Sequence, residues 1–200
     1  MARKNTTRER LIQATIRLLQ RKGYAGVGLS TILSEAGAPK GVLYHHFPEG
    51  KAELVAEAVR ASIHQIVQEL QGLRKRCRNP LDALEIWLGV ACDRLEKSGY
   101  ETGCPLAAAA LEAGSGDVPL KRVLADGFAT LRSELALFLA SAGIPEPRSQ
   151  ALSLLLVSGY EGALMQARAA SDKTLFEQIG CVLIEMVRHE HDKSEKEAGP

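Results

Sequence analysis

The chain has 200 residues, of which 46% are apolar and 4% aromatic, and its formal net charge is +1. This length suffices for one or two domains with a sizeable core, and the small net charge excludes a protein that is basic over its whole surface. The first 60 residues, however, contain ten basic and five acidic side chains, a net charge of +5, whereas the remainder carries −4. A basic N-terminal part on an acidic body indicates DNA contact confined to one end.

The first predicted helix has clear start and stop signals. Thr6 and Glu9 have the spacing of a capping box, in which each side chain accepts a hydrogen bond from the other residue's backbone. Arg21 and Lys22 suit the last helical turn, where cations are favoured, and Gly23 ends the helix.

Residues 29–47 predict two short helices joined by a tight turn. Gly37 suits the left-handed residue that ends a helix, and Pro39 suits the first position of the next one. The apolar positions share one side: Ile32, Leu33 and Ala36 on the first helix, Leu43 and Phe47 on the second. This pattern is typical of a helix-turn-helix, whose second helix enters the DNA major groove.

The rest of the chain also predicts helices only. A long helix begins at Lys51 and runs to about Cys77, and Asn79 followed by Pro80 begins another that ends near Gly99. Further helices are expected at about 104–113, 117–142, 148–170 and 173–188. We therefore predict an all-α fold with an N-terminal three-helix helix-turn-helix module, residues 1–50, and a larger helical domain, residues 51–188. Residues 189–200 form a charged tail that we expect to be disordered.

The last two predicted helices have more apolar and small side chains than one packing face requires. Two copies of this helix pair would form an antiparallel four-helix interface, although the same residues can also pack within one chain. The candidate dimer residues are Leu152, Leu155, Leu156, Gly159, Gly162, Ala163, Ile179, Val182, Leu183 and Met186.

Cysteine usage and hydropathy indicate a protein of the reducing cytoplasm. The four cysteines are far apart and form no CxxC pair, so we expect no zinc site, no disulfide framework, and no metal or cofactor. The chain begins with polar and basic residues, and no apolar run approaches the ~20 residues that span a bilayer. No membrane association is expected.

About the first sixty residues carry a resemblance to a known family. The matching residues are 7–19, Gly23-Tyr24, Ile32, Glu35-Ala36-Gly37, Lys40-Gly-Val-Leu-Tyr-His-His-Phe47, Lys51 and Leu54. They resemble the TetR family of bacterial transcriptional repressors. The turn from Phe47 to Lys51 and the segment from Gly103 to Leu106 are similar to the LmrA/YxaF-like subgroup, which represses multidrug-efflux genes.

The resemblance implies a homodimer that binds a palindromic double-stranded DNA operator, and a small-molecule effector that separates the two DNA-binding modules by moving the fourth helix. The implied DNA-binding residues are Thr31, Lys40, Gly41, Val42, Tyr44, His45, His46 and Lys51. Two positions depart from the family pattern. Gly28 stands where a capping Thr or Ser is usual, and four positions separate Phe47 from Lys51 where many members have three.

The chemistry of these side chains indicates their roles. Tyr44 is expected to donate its hydroxyl to a phosphate, His45 can reach a phosphate or a base, and Lys40 a guanine edge or a phosphate. Gly41 lets the backbone approach DNA, and Val42 can touch a thymine methyl. His46 suits a half-buried position equally well. Lys51 lies at a helix N-terminus, where a cation is unfavourable for the helix dipole. A phosphate bound there would attract both the lysine and the helix N-terminus. The alternative is a solvated lysine.

An effector pocket is expected in the C-terminal domain, mostly apolar with few polar groups, for a largely apolar ligand. The candidates are Trp87, Cys92, Cys104, Leu111, Phe128, Leu131, Tyr160, Met165 and Gln166, each of which can instead be a core residue.

Two other functional classes remain open at this point, and one is excluded. One is a thiol-based redox sensor, although no residue adjacent to the cysteines lowers their pKa. The other is a helical adaptor without DNA affinity, which would not need the exposed basic and aromatic residues between Lys40 and Lys51. An enzyme is not expected, because the sequence has no phosphate-binding loop, no metal-ligand spacing and no nucleophile with an adjacent base.

Overall fold

The computed structural model describes residues 6–77 and 79–198, and their regular secondary structure is helical. Nine helices and no strand occur in this described part, which confirms the predicted all-α fold. They are α1 (Thr7–Lys22), α2 (Leu29–Ala36), α3 (Lys40–His46), α4 (Lys51–Arg76), α5 (Pro80–Lys97), α6 (Pro105–Glu112), α7 (Val118–Ala140), α8 (Glu146–Ala170) and α9 (Thr174–Ala198). Within the described residues, no helix combines the length and the apolar character needed to cross a membrane.

The local signals at the first three helices act as predicted, with one shift. Thr6 and Glu9 form the capping box, with hydrogen bonds of 3.2 and 2.7 Å. Gly37 ends α2 in the left-handed conformation, at φ 57° and ψ 43°. Pro39 is the residue before α3 and not its first helical residue, because its ψ of 150° is extended.

The helix-turn-helix module packs in one compact unit with segments distant in sequence. This unit combines α1–α3 and α4 up to His64 with residues 103–128, which contain α6 and the start of α7. Its fully buried side chains include Leu11, Leu19, Ile32, Leu43, Phe47, Leu54 and Leu106. The packing division therefore differs from the sequence division at residue 50. Three short helices bury little apolar surface alone, and Leu54 and Leu106 complete their core.

The second compact unit contains residues 65–102 together with the chain from residue 129 onward. In it α9 packs on both α8 and α5. Its buried apolar residues include Leu84, Leu88, Leu95, Leu139, Leu152, Leu156, Leu164, Phe176, Leu183 and Val187. Gly159 allows α8 and α9 to approach, because a Cβ there would lie 2.9 Å from Cδ1 of Leu183.

The C-terminal tail is helical and not disordered as far as the described residues extend, since α9 continues to Ala198; residues 199–200 lie outside them. Side-chain pairs explain the extension. Arg148 at the start of α8 forms an ion pair with Glu190, and Lys193 lies 3.8 Å from Glu197, one turn further along α9. Charged pairs of this spacing stabilise a helix that has few apolar contacts.

Glu69 on α4 is expected to make stability depend on acidic pH. It accepts two hydrogen bonds of 2.9 Å from Arg94 of α5. Burial alone would raise the pKa of Glu69, but the hydrogen bonds from Arg94 and Gln65 and the charge of Arg94 lower it below its usual value. A carboxylate with a lowered pKa stabilises the fold at neutral pH, and this contribution is lost as the pH falls through that pKa.

We therefore expect Glu69→Gln to lower the free energy of unfolding by about 1 kcal/mol at pH 7 and by much less at pH 3. Urea unfolding at both pH values measures the difference. Glu185→Gln, which changes an exposed carboxylate in the middle of α9, is the matched control and should show no comparable dependence. An equal loss at pH 3 and pH 7 for Glu69→Gln would contradict this role.

Candidate nucleic-acid interface

Helix α3 exposes part of the predicted DNA-binding set on the side that faces away from the core. Lys40, Tyr44 and His45 are exposed, with Tyr44 60% accessible. A Cβ added at Gly41 would meet no protein atom within 4 Å, so the backbone is open to a close approach there. Helices α2 and α3 with the turn at Gly37 confirm the predicted helix-turn-helix, and DNA contact by the exposed residues stays a prediction.

The opposite side of α3 anchors it. Leu43 and Phe47 are fully buried, and the guanidinium of Arg8 lies 5.2 Å from the centre of the Phe47 ring. Arg8 also pairs with Glu57 of α4. Val42 and His46 are half-buried, with the His46 ring set edge-on to Phe47. These two residues therefore have less side chain available for DNA than Lys40 or Tyr44.

A shallow depression between α1 and α2 adjoins Thr31. It is lined by basic and hydroxyl side chains, Arg21, Lys22, Ser30, Thr31 and Ser34, together with Leu18 and Glu35. Gly28 precedes α2 and gives it no side-chain cap, so the first backbone N–H groups of the helix have no such acceptor. N–H groups at a helix start are donors that suit an anion, and the neighbouring cations and hydroxyls add to that character.

Lys51 does not point to the exposed side where a phosphate contact was predicted. Its ammonium donates a 2.8 Å hydrogen bond to the carbonyl of Tyr24 and lies 4.3 Å from the centre of the Tyr24 ring. Burial lowers the pKa of Lys51, and the nearby carboxylates of Glu112 and Asp117 oppose that shift. The side chain turns inward because Tyr24 and the two carboxylates together provide better partners than solvent at a helix start.

Residues 103–117 hold the end of α1 and the turn after it at three points. Gly103 donates a 2.9 Å hydrogen bond to the carbonyl of Gln20, and Glu112 accepts one from the backbone of Ala25. The hydroxyl of Tyr24 donates to Asp117 at 3.4 Å. Burial, followed by the charge and hydrogen bond of Asp117, raises the pKa of Tyr24.

Gly23 is required where this segment meets the end of α1. Its φ is +69°, and a Cβ there would lie 2.1 Å from Oε1 of Glu112. The sequence indicated Gly23 as a helix stop, but no local pattern indicated its contact with Glu112, because the two residues are far apart along the chain. Tyr24, Glu112 and Asp117 are thus functional candidates that sequence reasoning missed.

The predicted effector residues fall in both compact units. Cys104, Leu111 and Phe128 belong to the first unit, and the other predicted residues, on α5, α7 and α8, belong to the second. Leu111 and Met165 are 81% and 62% exposed, so neither lines an enclosed pocket of the single chain. The helices that carry Leu111 and Met165 have apolar residues on their exposed sides as well as on their packed sides. Residue type alone therefore did not distinguish a surface position from a pocket-lining one.

Three aromatic rings of the second unit do come together. Trp87 of α5 stacks on Tyr160 of α8, with ring centres 5.0 Å apart, and Tyr160 meets Phe176 of α9 edge-on at 5.6 Å. Of the other predicted effector residues in this unit, Cys92 and Leu131 are buried. Gln166 is exposed, and its amide donates to the carbonyl of Gly162 one turn earlier.

The predicted dimer residues divide into a buried and an accessible set. Leu152, Leu156, Ala163 and Leu183 are buried within the single chain, and Gly159 of α8 lies against Leu183 of α9 in the same chain. The predicted place of these five residues in a dimer interface stays a prediction, and their burial leaves little side chain for a second copy to cover. Helical periodicity shows that a side is apolar but not which partner covers it. The accessible set, here called the α8–α9 stripe, is Leu155, Gly162, Ile179, Val182 and Met186.

Two family models match the chain. The model described as bacterial regulatory proteins of the tetR family matches residues 11–58, which include α2 and α3. The model described as the C-terminal domain of LmrA/YxaF-like transcriptional regulators matches residues 80–181. Together they match residues in both compact units.

Individual relatives agree over most of their length. The chain is 30% identical over 174 residues to the transcriptional regulator YxaF of Bacillus subtilis, covering 87% of this chain and 91% of YxaF. It is 28% identical over 182 residues to the transcriptional regulator LmrA of the same organism, covering 91% and 97%. The crystal structure of a TetR regulatory protein from Rhodobacter sphaeroides shares the fold, with a TM-score of 0.81 at 22% identity over 90% of this chain and 98% of that one.

The relatives with assigned activities regulate transcription and are not enzymes. This agrees with the exposed α3 surface and with the all-helical fold. The chain therefore belongs to the TetR family of bacterial transcriptional regulators, within its LmrA/YxaF-like subgroup.

Proposed function

We propose that the protein is a ligand-responsive repressor that binds a palindromic operator as a homodimer and is released by a small, largely apolar molecule. Efflux genes are the proposed targets. The exposed side of α3, with Lys40, Gly41, Tyr44 and His45 facing outward over a buried Leu43, is the observation that carries the DNA-binding part. A helix anchored in this way can enter a major groove without rearranging its own core.

Contacts to the DNA backbone would come from the neighbouring depression. The cations of Arg21 and Lys22 and the hydroxyls of Ser30 and Thr31 line it beside the start of α2. Phosphate contacts fix the register of α3, and its side chains then read the bases. Gly28 is compatible with this role, because a phosphate can accept the hydrogen bonds from the backbone N–H groups that a capping Thr side chain would otherwise accept.

Lys51 is proposed to position this surface and not to bind phosphate itself. Its bonds to Tyr24 connect the start of α4 with the turn between α1 and α2. Glu112 and Asp117 attach α6 and the start of α7 to the same turn. A movement of α6 would therefore be transmitted to the helices that carry the DNA contacts.

The thiol-sensing alternative is weakened by the position of Cys92. Burial, followed by the charge of Glu177, raises the pKa of the Cys92 thiol. A buried thiol of raised pKa forms little thiolate, which is the species that oxidants attack. We therefore favour effector binding, with the single tryptophan, Trp87, as its fluorescent reporter through the stack on Tyr160.

Selection from random DNA duplexes tests DNA recognition directly. We expect an enriched palindrome whose two half-sites lie on one face of the DNA, with affinity that falls steeply as salt rises. Tyr44→Phe should weaken binding about three- to tenfold by removing one hydrogen bond to a phosphate. Tyr100→Phe, in the loop after α5, is the matched control and should bind normally. Failure to enrich any palindrome would contradict the proposed function.

A further inference from the structure

A groove of about 390 Å³ lies between α5 and α9 in the second compact unit. Leu88 and Cys92 of α5 and Phe176 and Ile184 of α9 form its floor, and all four are buried. Phe176 also meets Tyr160 edge-on, so the floor adjoins the aromatic cluster. The groove therefore offers an apolar surface whose packing is already fixed in the free chain.

Ion pairs connect the two helices near both ends of this groove. Arg188 of α9 lies 2.8 Å from Glu85 of α5, at the end where α5 begins. Lys173, just before α9, lies 2.9 Å from Glu96, one turn beyond Cys92. These pairs hold antiparallel helices in register, so the space between them is a fixed feature of the packing.

Two glycines keep the middle of the groove open. A Cβ at Gly180 would lie 3.9 Å from Cδ1 of Leu88, which is ordinary contact distance, so α5 and α9 are near each other there. Gly89 lines the groove as well, and a Cβ at that position would meet no protein atom within 4 Å. A larger side chain at Gly89 would have room to occupy the groove.

The groove is negatively charged. Glu85, Glu177 and Glu185 line it with one cation, Arg188, which leaves a net charge of −2. Arg188 is paired with Glu85. Lys173 is paired with Glu96 beside the groove and also interacts electrostatically with Glu177 at a longer distance than an ion pair. Burial raises the pKa of Cys92, the charge of Glu177 adds to this shift and the charge of Lys173 opposes it, so both charges lie near the apolar floor.

The groove and the α8–α9 stripe use different sides of α9. Around a helix of 3.6 residues per turn, Glu177, Ile184 and Arg188 lie on one side, and Ile179, Val182 and Met186 lie on the other. Buried Leu183 and Val187 lie between the two sides. A dimer formed through the stripe would therefore leave the groove accessible.

We propose that the α5–α9 groove binds a small organic cation with an apolar body. The cationic centre lies against Glu177 and Glu185, and the apolar body covers Leu88, Phe176 and Ile184. Carboxylates at the edge of an apolar floor select for a cation with an apolar body. A neutral apolar molecule gives the carboxylates no cationic partner, and a hydrophilic cation does not cover the apolar floor. The inference goes beyond the proposed function by assigning a ligand class, and binding to the free protein tests it without DNA.

Isothermal titration calorimetry of the full chain with tetraphenylphosphonium and with tetraphenylborate tests the inference. The two ions have nearly the same shape and opposite charge. We expect the phosphonium to bind. Gly89→Leu should weaken its binding at least about tenfold, because the new side chain fills the groove. Gly89→Ala is the control: it adds one methyl group in open space and should change the affinity less than about threefold. Glu177→Gln combined with Glu185→Gln should weaken phosphonium binding about tenfold.

The charge and the site are tested separately. Phosphonium binding that weakens about tenfold in Gly89→Leu and in the double glutamine variant, together with weaker binding of the borate to the unmodified protein, supports the proposal. Phosphonium that does not bind the unmodified protein overturns it. Phosphonium affinity that is unchanged in either variant overturns it. The double variant alters only exposed side chains, so it keeps the test decisive if Gly89→Leu fails to fold, as judged by its circular dichroism and thermal unfolding. Failure to enrich a palindrome in the DNA selection would leave these binding results unaffected.

Discussion

Val182→Glu is expected to convert the protein into a monomer and to lower its affinity for a palindromic operator about 100-fold. Val182 is 55% exposed in the single chain and lies at the centre of the α9 part of the α8–α9 stripe. In a symmetric interface each substitution occurs twice, so two carboxylates would be buried against apolar partners and close to each other. A monomer contacts one half-site at a time and loses the gain from linked binding.

Sedimentation and operator titration measure the two effects. Ile86→Glu is the matched control, because Ile86 is also an exposed branched apolar residue but lies on α5, outside the stripe. Glutamate has a good helix propensity, so neither change should unfold its helix. A Val182→Glu protein that remains dimeric and binds its operator normally would show that the stripe is not the dimer surface.

Local features of the sequence were sufficient to predict α3 and which of its sides is exposed. The left-handed Gly37, the buried pair Leu43 and Phe47, and the capping box at Thr6 all depend on residues within a few positions of each other. Such signals determine where helices begin, end and bury one side. The exposed residues of α3 follow from them, which is why the candidate site was visible before the structure.

Long-range partners were not predictable in the same way. Lys51 has the sequence context of a phosphate ligand, but Tyr24 and the carboxylates of Glu112 and Asp117 occupy its surroundings. Helices α8 and α9 show a similar limit, because Leu152 and Leu155 are both apolar and only the packing places one inside and the other on the surface. In each case the missing information was the identity of the covering partner, which periodicity does not contain.

Lys51→Met is expected to lower the free energy of unfolding by about 1–2 kcal/mol. The change removes the hydrogen bond to the Tyr24 carbonyl and the contact of the ammonium with the Tyr24 ring. It also leaves Glu112 and Asp117 without their nearby cation. Lys121→Met is the control, since Lys121 is an exposed lysine of α7 and its loss should change stability by less than about 0.5 kcal/mol.

The salt dependence of DNA binding distinguishes positioning from direct phosphate contact. A lysine that neutralises a phosphate contributes about 0.9 to the slope of log affinity against log salt, and removing it reduces the slope by that amount. We expect Lys51→Met to weaken binding with an unchanged slope, because its ammonium remains on Tyr24 while the module binds. Lys40→Met, which changes an exposed cation of α3, is expected to reduce the slope by about 1 if Lys40 lies on a phosphate. A reduced slope in Lys51→Met would instead mean that the ammonium leaves Tyr24 for DNA, in which case the carboxylates of Glu112 and Asp117 compete with the operator for the same cation.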